Sequence, residues 1–415
     1  MATRSTPPAQ TGRSSYTGPF IAVTSLFFIF GFITTLNMAL VPYLRKIIDL
    51  PQGLAALATS AFFLAYFVFS SPAAKIIELI GYKRTIVVSL FVQVAGCLVF
   101  IPAAKMLSFP LFLTAVFILG AGVTALQTAL NRYVTILGPE HSAPARLTLV
   151  QAFNSLGTTI APLVGGAFLL KETGNLDKAA IADAVRIPYL AVAGALLILG
   201  VAVAFFNLPA VTQTQSFRPG KEGDSILERS IWNFRHTVLG AVGIFLYVGV
   251  EVSLGTFAVA YFITQGVPNA ERASFFASLY WGGALVGRLL GSWMLTKVNA
   301  GKLLGLFGTM GTGMIIASML TSGHVAIWAL ILCGFCNSIM FPNIFALGVA
   351  GLGPLTSKGS GLLNTAIVGG AVIPWLMGVA IDHFGGNVQR ALFIPIVSYL
   401  FIAWYGFVGH KQKTA

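Results

Sequence analysis

Apolar runs of about twenty residues, the length a helix needs to cross a bilayer, recur along this chain between short polar stretches. The pattern predicts twelve membrane helices, with cores at 20–41, 53–74, 84–104, 110–137, 147–170, 187–208, 237–264, 274–296, 303–322, 325–349, 360–381 and 389–408. The longest polar interval, 209–235, opens on Gln, Thr, Ser and Pro and then carries the charges from Lys221 to Arg235, the composition of a linker. It separates two sets of six predicted helices, 20–208 and 236–408, with polar tails at 1–19 and 409–415. The first tail has no apolar stretch with a small-residue cleavage site, so the first span is expected to act as its own insertion signal.

Composition agrees with the pattern. The chain is 56% hydrophobic and 9% charged, with a mean hydropathy of +0.86, where a soluble domain carries about a quarter charged residues. The expected class is an all-α membrane protein. A net charge of +13 could point to nucleic acid, but the basic residues are scattered between apolar spans and follow membrane topology instead. With the N-terminus in the cytoplasm, 17 of the 25 Lys and Arg fall on the cytoplasmic side. Both termini and the 209–235 linker are therefore expected there. Cys97, Cys333 and Cys336 all lie inside apolar runs and read as small buried residues, not as a redox or metal pair. His141, His236, His324, His383 and His410 fall at loops or helix ends, and no nucleotide-binding glycine loop occurs. Enzymatic chemistry and an ATP-driven pump are both disfavoured, and no cofactor is expected.

The polar residues inside the spans carry the candidate chemistry. They are Asn37 in span one, Gln127, Asn131 and Arg132 in span four, Gln151 and Asn154 in span five, Glu251 in span seven, Asn337 and Asn343 in span ten, and Asn364 in span eleven. Gln127 and Asn131 share one helix face, as do Gln151 and Asn154. An amide sets a donor beside an acceptor, which suits the vicinal hydroxyls of a sugar. Against this stands the plainer reading, in which each amide bonds a neighbouring helix for about 0.6 kcal/mol. Trp281, with Phe153, Phe341 and Trp375, could cover the apolar face of such a ligand. In span ten, Pro342 sits between Asn337 and Asn343, and a proline kink frees backbone groups that protein or water must satisfy. Shifting the sequence by 210 places brings Gln127 onto Asn337 and Asn154-Ser155 onto Asn364-Thr365, a weak sign of a parallel repeat with a site between its halves.

Glu251 lies near the centre of its span, where a carboxylate costs roughly 2.5–3.5 kcal/mol on insertion scales. Such a residue is paired, protonated or used, and Glu251 is the one acid deep in a span. It is a candidate for cation coupling, for a tie to another helix, or for direct sugar contact. Arg288 is expected at an inner helix junction, because long basic side chains reach toward helix ends. Arg132, at the inner end of span four, is expected to close an inward gate.

At Ser25-Leu-Phe-Phe-Ile-Phe-Gly-Phe-Ile-Thr-Thr-Leu-Asn37, Leu40-Val-Pro-Tyr-Leu44, Gln127-Thr-Ala-Leu-Asn131, Gln151-Ala-Phe-Asn154-Ser-Leu-Gly157, Tyr247-Val-Gly-Val-Glu251-Val-Ser-Leu-Gly255, Tyr280-Trp-Gly-Gly and Gly287-Arg288, the chain resembles the fucose–proton symporter family of the major facilitator superfamily. The likeness covers roughly 20–408. It implies two six-helix bundles rocking about a central site and importing a hexose or related sugar across a bacterial inner membrane, with a monomer as the functional unit. Two acids of the fucose-transporter pattern are missing, since Met38 and Gln127 occupy their places. Members that handle glucose, galactose or N-acetylglucosamine are closer at span four. Arg132 stands where those relatives often have proline. Fucose-type coupling is therefore not carried over, and the alternatives are a proton, sodium or no coupling ion.

The resulting expectation is a secondary transporter that imports a neutral monosaccharide by cation symport. Asn37, Gln127, Asn131, Gln151, Asn154, Asn337 and Asn364 are the candidate hydroxyl contacts, with Trp281 as the ring platform. The alternatives are a sugar uniporter, or an exporter of drugs or metabolites from the same superfamily. A sugar sensor would need a sizeable soluble domain, for which the linker and tails offer no room.

Overall fold

The computed structural model describes residues 18, 20–33, 52–169, 178–205 and 230–412, and within them all regular structure is helical. Helix α1 covers Phe20–Ile33, α2 Gln52–Lys105, α3 Phe109–Ile136, α4 Ala143–Leu169 and α5 Lys178–Phe205. Next in order come α6 Arg235–Thr264, α7 Ala270–Met294, α8 Ala300–Leu320, α9 Gly323–Asn337 and α10 Met340–Val349. The last elements are α11 Thr356–Thr365, α12 Gly369–His383, the single turn α13 Val388–Ala391 and α14 Phe393–Trp404. Each of the twelve expected spans falls on one or more of these helices. Among the described residues, seven helical segments are long and apolar enough to cross a membrane.

Where the helices differ from the spans, the sequence gives the reason. Spans two and three run together as α2, which turns at Gly81 (φ 80°, ψ 170°). Positive φ with extended ψ is open to glycine and essentially closed to residues with a Cβ, at a cost of about 1–3 kcal/mol. Span ten is broken at Ser338-Ile339 into α9 and α10. Pro342 has no N–H to return to the carbonyl four residues earlier, and its ring clashes with that carbonyl. The Ser338 carbonyl is thus released from the helix ladder. Span eleven is likewise interrupted, by one 3-10 turn at Ala366–Val368.

The first set of helices packs α2 against α3 and α5, and the second packs α6 against α7, α10 and α12, with α8 against α9 and α14. Two seams join the sets. In one, α2 and α3 meet α11; in the other, α4 meets α7 and α10. Buried tyrosine, phenylalanine and aliphatic side chains fill each set, including Tyr66, Leu126 and Tyr133 in the first and Ile244, Leu304 and Phe345 in the second. The polar residues collect where the sets touch.

Candidate functional site

Helices α3 and α4 carry most of the first set's buried polar side chains. Gln127 is buried, and its Oε1 accepts from the Tyr66 hydroxyl of α2 at 2.5 Å. One turn further, Asn131 is fully enclosed and accepts from Gln151 Nε2 at 3.4 Å, while its own Nδ2 has no partner among the described residues. Between them, Thr128 accepts from Asn364 Nδ2 at 2.8 Å, a bond across the seam to α11. The Oδ1 of Asn364 is buried without a partner among the described residues. Gln127, Asn131, Gln151 and Asn364 therefore gather around one junction of α3, α4 and α11. An unpaired buried polar atom costs about 1–3 kcal/mol, so free amide atoms at this junction suit a hydroxyl-bearing ligand.

The other candidates are spread differently. Asn154 Nδ2 donates to the Phe27 carbonyl at 3.2 Å and so ties α4 to α1. Asn37 and Met38 lie outside the described residues. Asn337 accepts from Tyr399 at 2.6 Å and donates to the Tyr280 hydroxyl at 2.7 Å, and that hydroxyl donates to the Glu251 carbonyl at 3.3 Å. Both ends of this amide are thus engaged in bracing α7, α9 and α14 to α6. Asn343 is enclosed with neither side-chain atom partnered among the described residues. Trp281 is 43% exposed, edge-on to Tyr280 with ring centroids 5.2 Å apart. Its indole lies over Gly255, where a methyl group would come within 2.6 Å. Of the other rings, Phe341 is buried and stacked on Phe345, whereas Phe153 and Trp375 are exposed.

Each seam contains one arginine. In the first, Arg132 is 1% exposed, donates to the Ser357 hydroxyl of α11, and lies 5.2 Å from the centroid of the Tyr82 ring. Ser357 in turn donates to the Ala74 carbonyl of α2 at 3.2 Å. The Nε of Arg132 has no partner among the described residues. In the second seam, Arg288 of α7 pairs with Glu251 of α6 at 3.5 Å, the one ion pair among the described residues. Both side chains are largely buried, 12% and 16% exposed. The same guanidinium donates to the Ser155 hydroxyl of α4 and, through Nε, to the Ser338 carbonyl at 3.2 Å. That carbonyl is the one released by Pro342. From its place on α7, Arg288 therefore joins α4, α6 and the break between α9 and α10. The reason is that an acid and a freed carbonyl sit within reach, and a guanidinium has five donors to place.

Sequence reasoning missed the hydroxyl partners: Tyr66, Thr128, Ser357 and Tyr399. Tyr66 and Tyr399 sit in aromatic apolar runs and Ser357 at a helix start, so none stands out by polarity alone.

A family model described as the Major Facilitator Superfamily matches residues 23–374, and the chain belongs to that superfamily. It is 43% identical to the glucose/galactose transporter of Brucella abortus (strain 2308) over 98% of each chain. It is 31% identical to the L-fucose-proton symporter of Escherichia coli (strain K12), covering 97% of this chain and 94% of that one. The solved structure of a Major Facilitator Superfamily transporter, FucP, in the outward conformation superposes with a TM-score of 0.87 at 29% identity, covering 96% of this chain and 100% of the other. The fold is thus that of a membrane transporter, as the resemblance implied.

Proposed function

We propose that this protein imports a neutral hexose, glucose or galactose, by alternating access together with a proton. The observation that carries this reading is the cluster of buried Gln127, Asn131, Gln151 and Asn364 along one turn of α3, in which Asn131 Nδ2 and Asn364 Oδ1 have no partner among the described residues. The likeness to a glucose/galactose transporter over nearly the whole chain supports it. Amides without a neighbouring acid in span four suit an uncharged polyol. In this reading Gln127, Asn131, Gln151 and Asn364 contact hydroxyls, Asn37 and Asn154 complete the site from spans one and five, and Trp281 covers the apolar face. Asn337 acts mainly as a brace.

Glu251 takes the proton. A proton needs one carboxylate oxygen, whereas sodium needs several oxygens and would sit beside the Arg288 guanidinium, whose charge repels it. The name of the Escherichia coli relative, a proton symporter, points the same way. Residues 20–208 and 236–408 then act as the two moving units with 209–235 as a cytoplasmic linker. A monomer with both termini in the cytoplasm of a bacterial inner membrane completes the proposal.

The test is uptake of labelled glucose and galactose into proteoliposomes under imposed proton or sodium gradients. Accumulation driven by an inward proton gradient is the expected result. Accumulation that follows sodium alone, or equilibration without accumulation, contradicts the coupling. Absence of any hexose exchange contradicts the substrate. Asn337→Ala and Asn364→Ala separate brace from ligand: the first should lower the melting temperature with the KM for hexose nearly unchanged, and the second should raise that KM several-fold.

A further inference from the structure

We infer that Arg288 is the positioning residue through which the charge on Glu251 sets the strength of the α4–α7 seam. The inference rests on the symport reading above and deepens it. Its basis is that one guanidinium serves three parts of the molecule at once. It meets the Glu251 carboxylate on α6, the hydroxyl of Ser155 on α4 in the opposite helix set, and the Ser338 carbonyl at the break between α9 and α10.

The setting is built for that position. Pro342 removes the amide that would otherwise bond the Ser338 carbonyl, leaving it open to a donor. Beside Arg288 in sequence, Gly287 lies so close to the Phe335 carbonyl that a methyl group there would come within 2.9 Å of it, so the missing side chain lets α7 approach the break. The planar fork holds several acceptors in fixed directions, which an ammonium cannot do. Ser155 is the only one of the three partners on the other side of the seam. A change in where Arg288 rests is therefore felt across the interface between the two sets.

The sequence of events balances simply. A proton adds to one Glu251 oxygen, an O–H bond forms, and the carboxylate becomes neutral. No other covalent bond changes. Arg288 is then a buried cation whose counter-charge has gone, held only by a hydroxyl and a carbonyl. An uncompensated buried charge is strongly unfavourable, and parting α4 from α7 relieves it by admitting water. With Glu251 charged, the pair keeps the fork in place and the seam shut. Occupancy at one helix centre becomes a change in bundle spacing through a single side chain.

The experiment is a double-mutant cycle read as spacing. Spin labels at His141→Cys and Lys297→Cys, on the exposed ends flanking α4 and α7, report the open-to-closed ratio of this seam in proteoliposomes. Glu251→Gln mimics the neutral acid without changing its shape, and Ser155→Ala removes the cross-seam bond while leaving the ion pair. Each alone should raise the open-to-closed ratio about five-fold or more without sugar present. The combination should give no more than the larger single effect, since both act on one contact. Arg288→Lys, which keeps the charge and loses the fork, should behave like Ser155→Ala. Multiplying effects in the double variant, or wild-type spacing in either single variant, would overturn the inference. Hexose counterflow in the wild type reports separately on the transport reading, so a failure there is not confused with a failure of the seam.

Discussion

The two seams between the helix sets each bury an arginine, but they give it different company. In the α2/α3–α11 seam, Arg132 meets a serine hydroxyl and a tyrosine ring. In the α4–α7 seam, Arg288 meets a carboxylate as well as a hydroxyl and a carbonyl. A hydroxyl and a ring have the same charge whatever is bound nearby, and the Glu78 carboxylate acts on Arg132 only through space, beyond ion-pair distance, so the first contact is the less changeable of the two. A carboxylate can be neutralised, so the second contact has two strengths. The arginine's partner, more than its burial, decides whether a seam can respond to an ion.

The largest effect is expected at Arg288. Arg288→Met leaves Glu251 buried without its counter-charge and should cost about 3–5 kcal/mol, seen as a large fall in thermal stability in detergent. Adding Glu251→Gln to that variant should restore most of the loss, because no lone charge then remains. If the double variant is as unstable as the single one, the ion pair is not what Arg288 contributes. At the other seam, Arg132→Met removes a charge that has no carboxylate within ion-pair distance among the described residues and feels Glu78 only through space, so the loss should be smaller, about 1–3 kcal/mol. Proton-driven accumulation should survive it. Loss of accumulation with counterflow intact would mean that the first seam also senses the ion. Ser357→Ala should have the smallest effect, about 1 kcal/mol, with Arg132 keeping its contact with the Tyr82 ring.

The order of helices was legible from apolar run length, because a bilayer imposes that length on any span. The broken span ten was legible from Pro342 as a kink that must find partners for its freed groups. That Arg288 is the partner was not legible. Which side of α7 faces Glu251 depends on how three helices pack, and spacing along one helix does not contain that rotation. Asn337 shows the same limit: an amide at a span centre reads as a ligand until two tyrosines from distant segments claim both its ends. Conversely, Gln127 and Asn131 on one face of α3, and Asn364 in the other set, stood out because amides are rare in apolar runs. Their meeting at one junction follows only from the seam.

The most direct measurement compares two quantities in the Glu251→Gln variant: hexose counterflow, and hexose accumulation under an inward proton gradient. Counterflow at close to the wild-type rate with accumulation abolished is the predicted result. Accumulation at the wild-type level in that variant would contradict the account, because the seam would then be reading something other than the charge on Glu251.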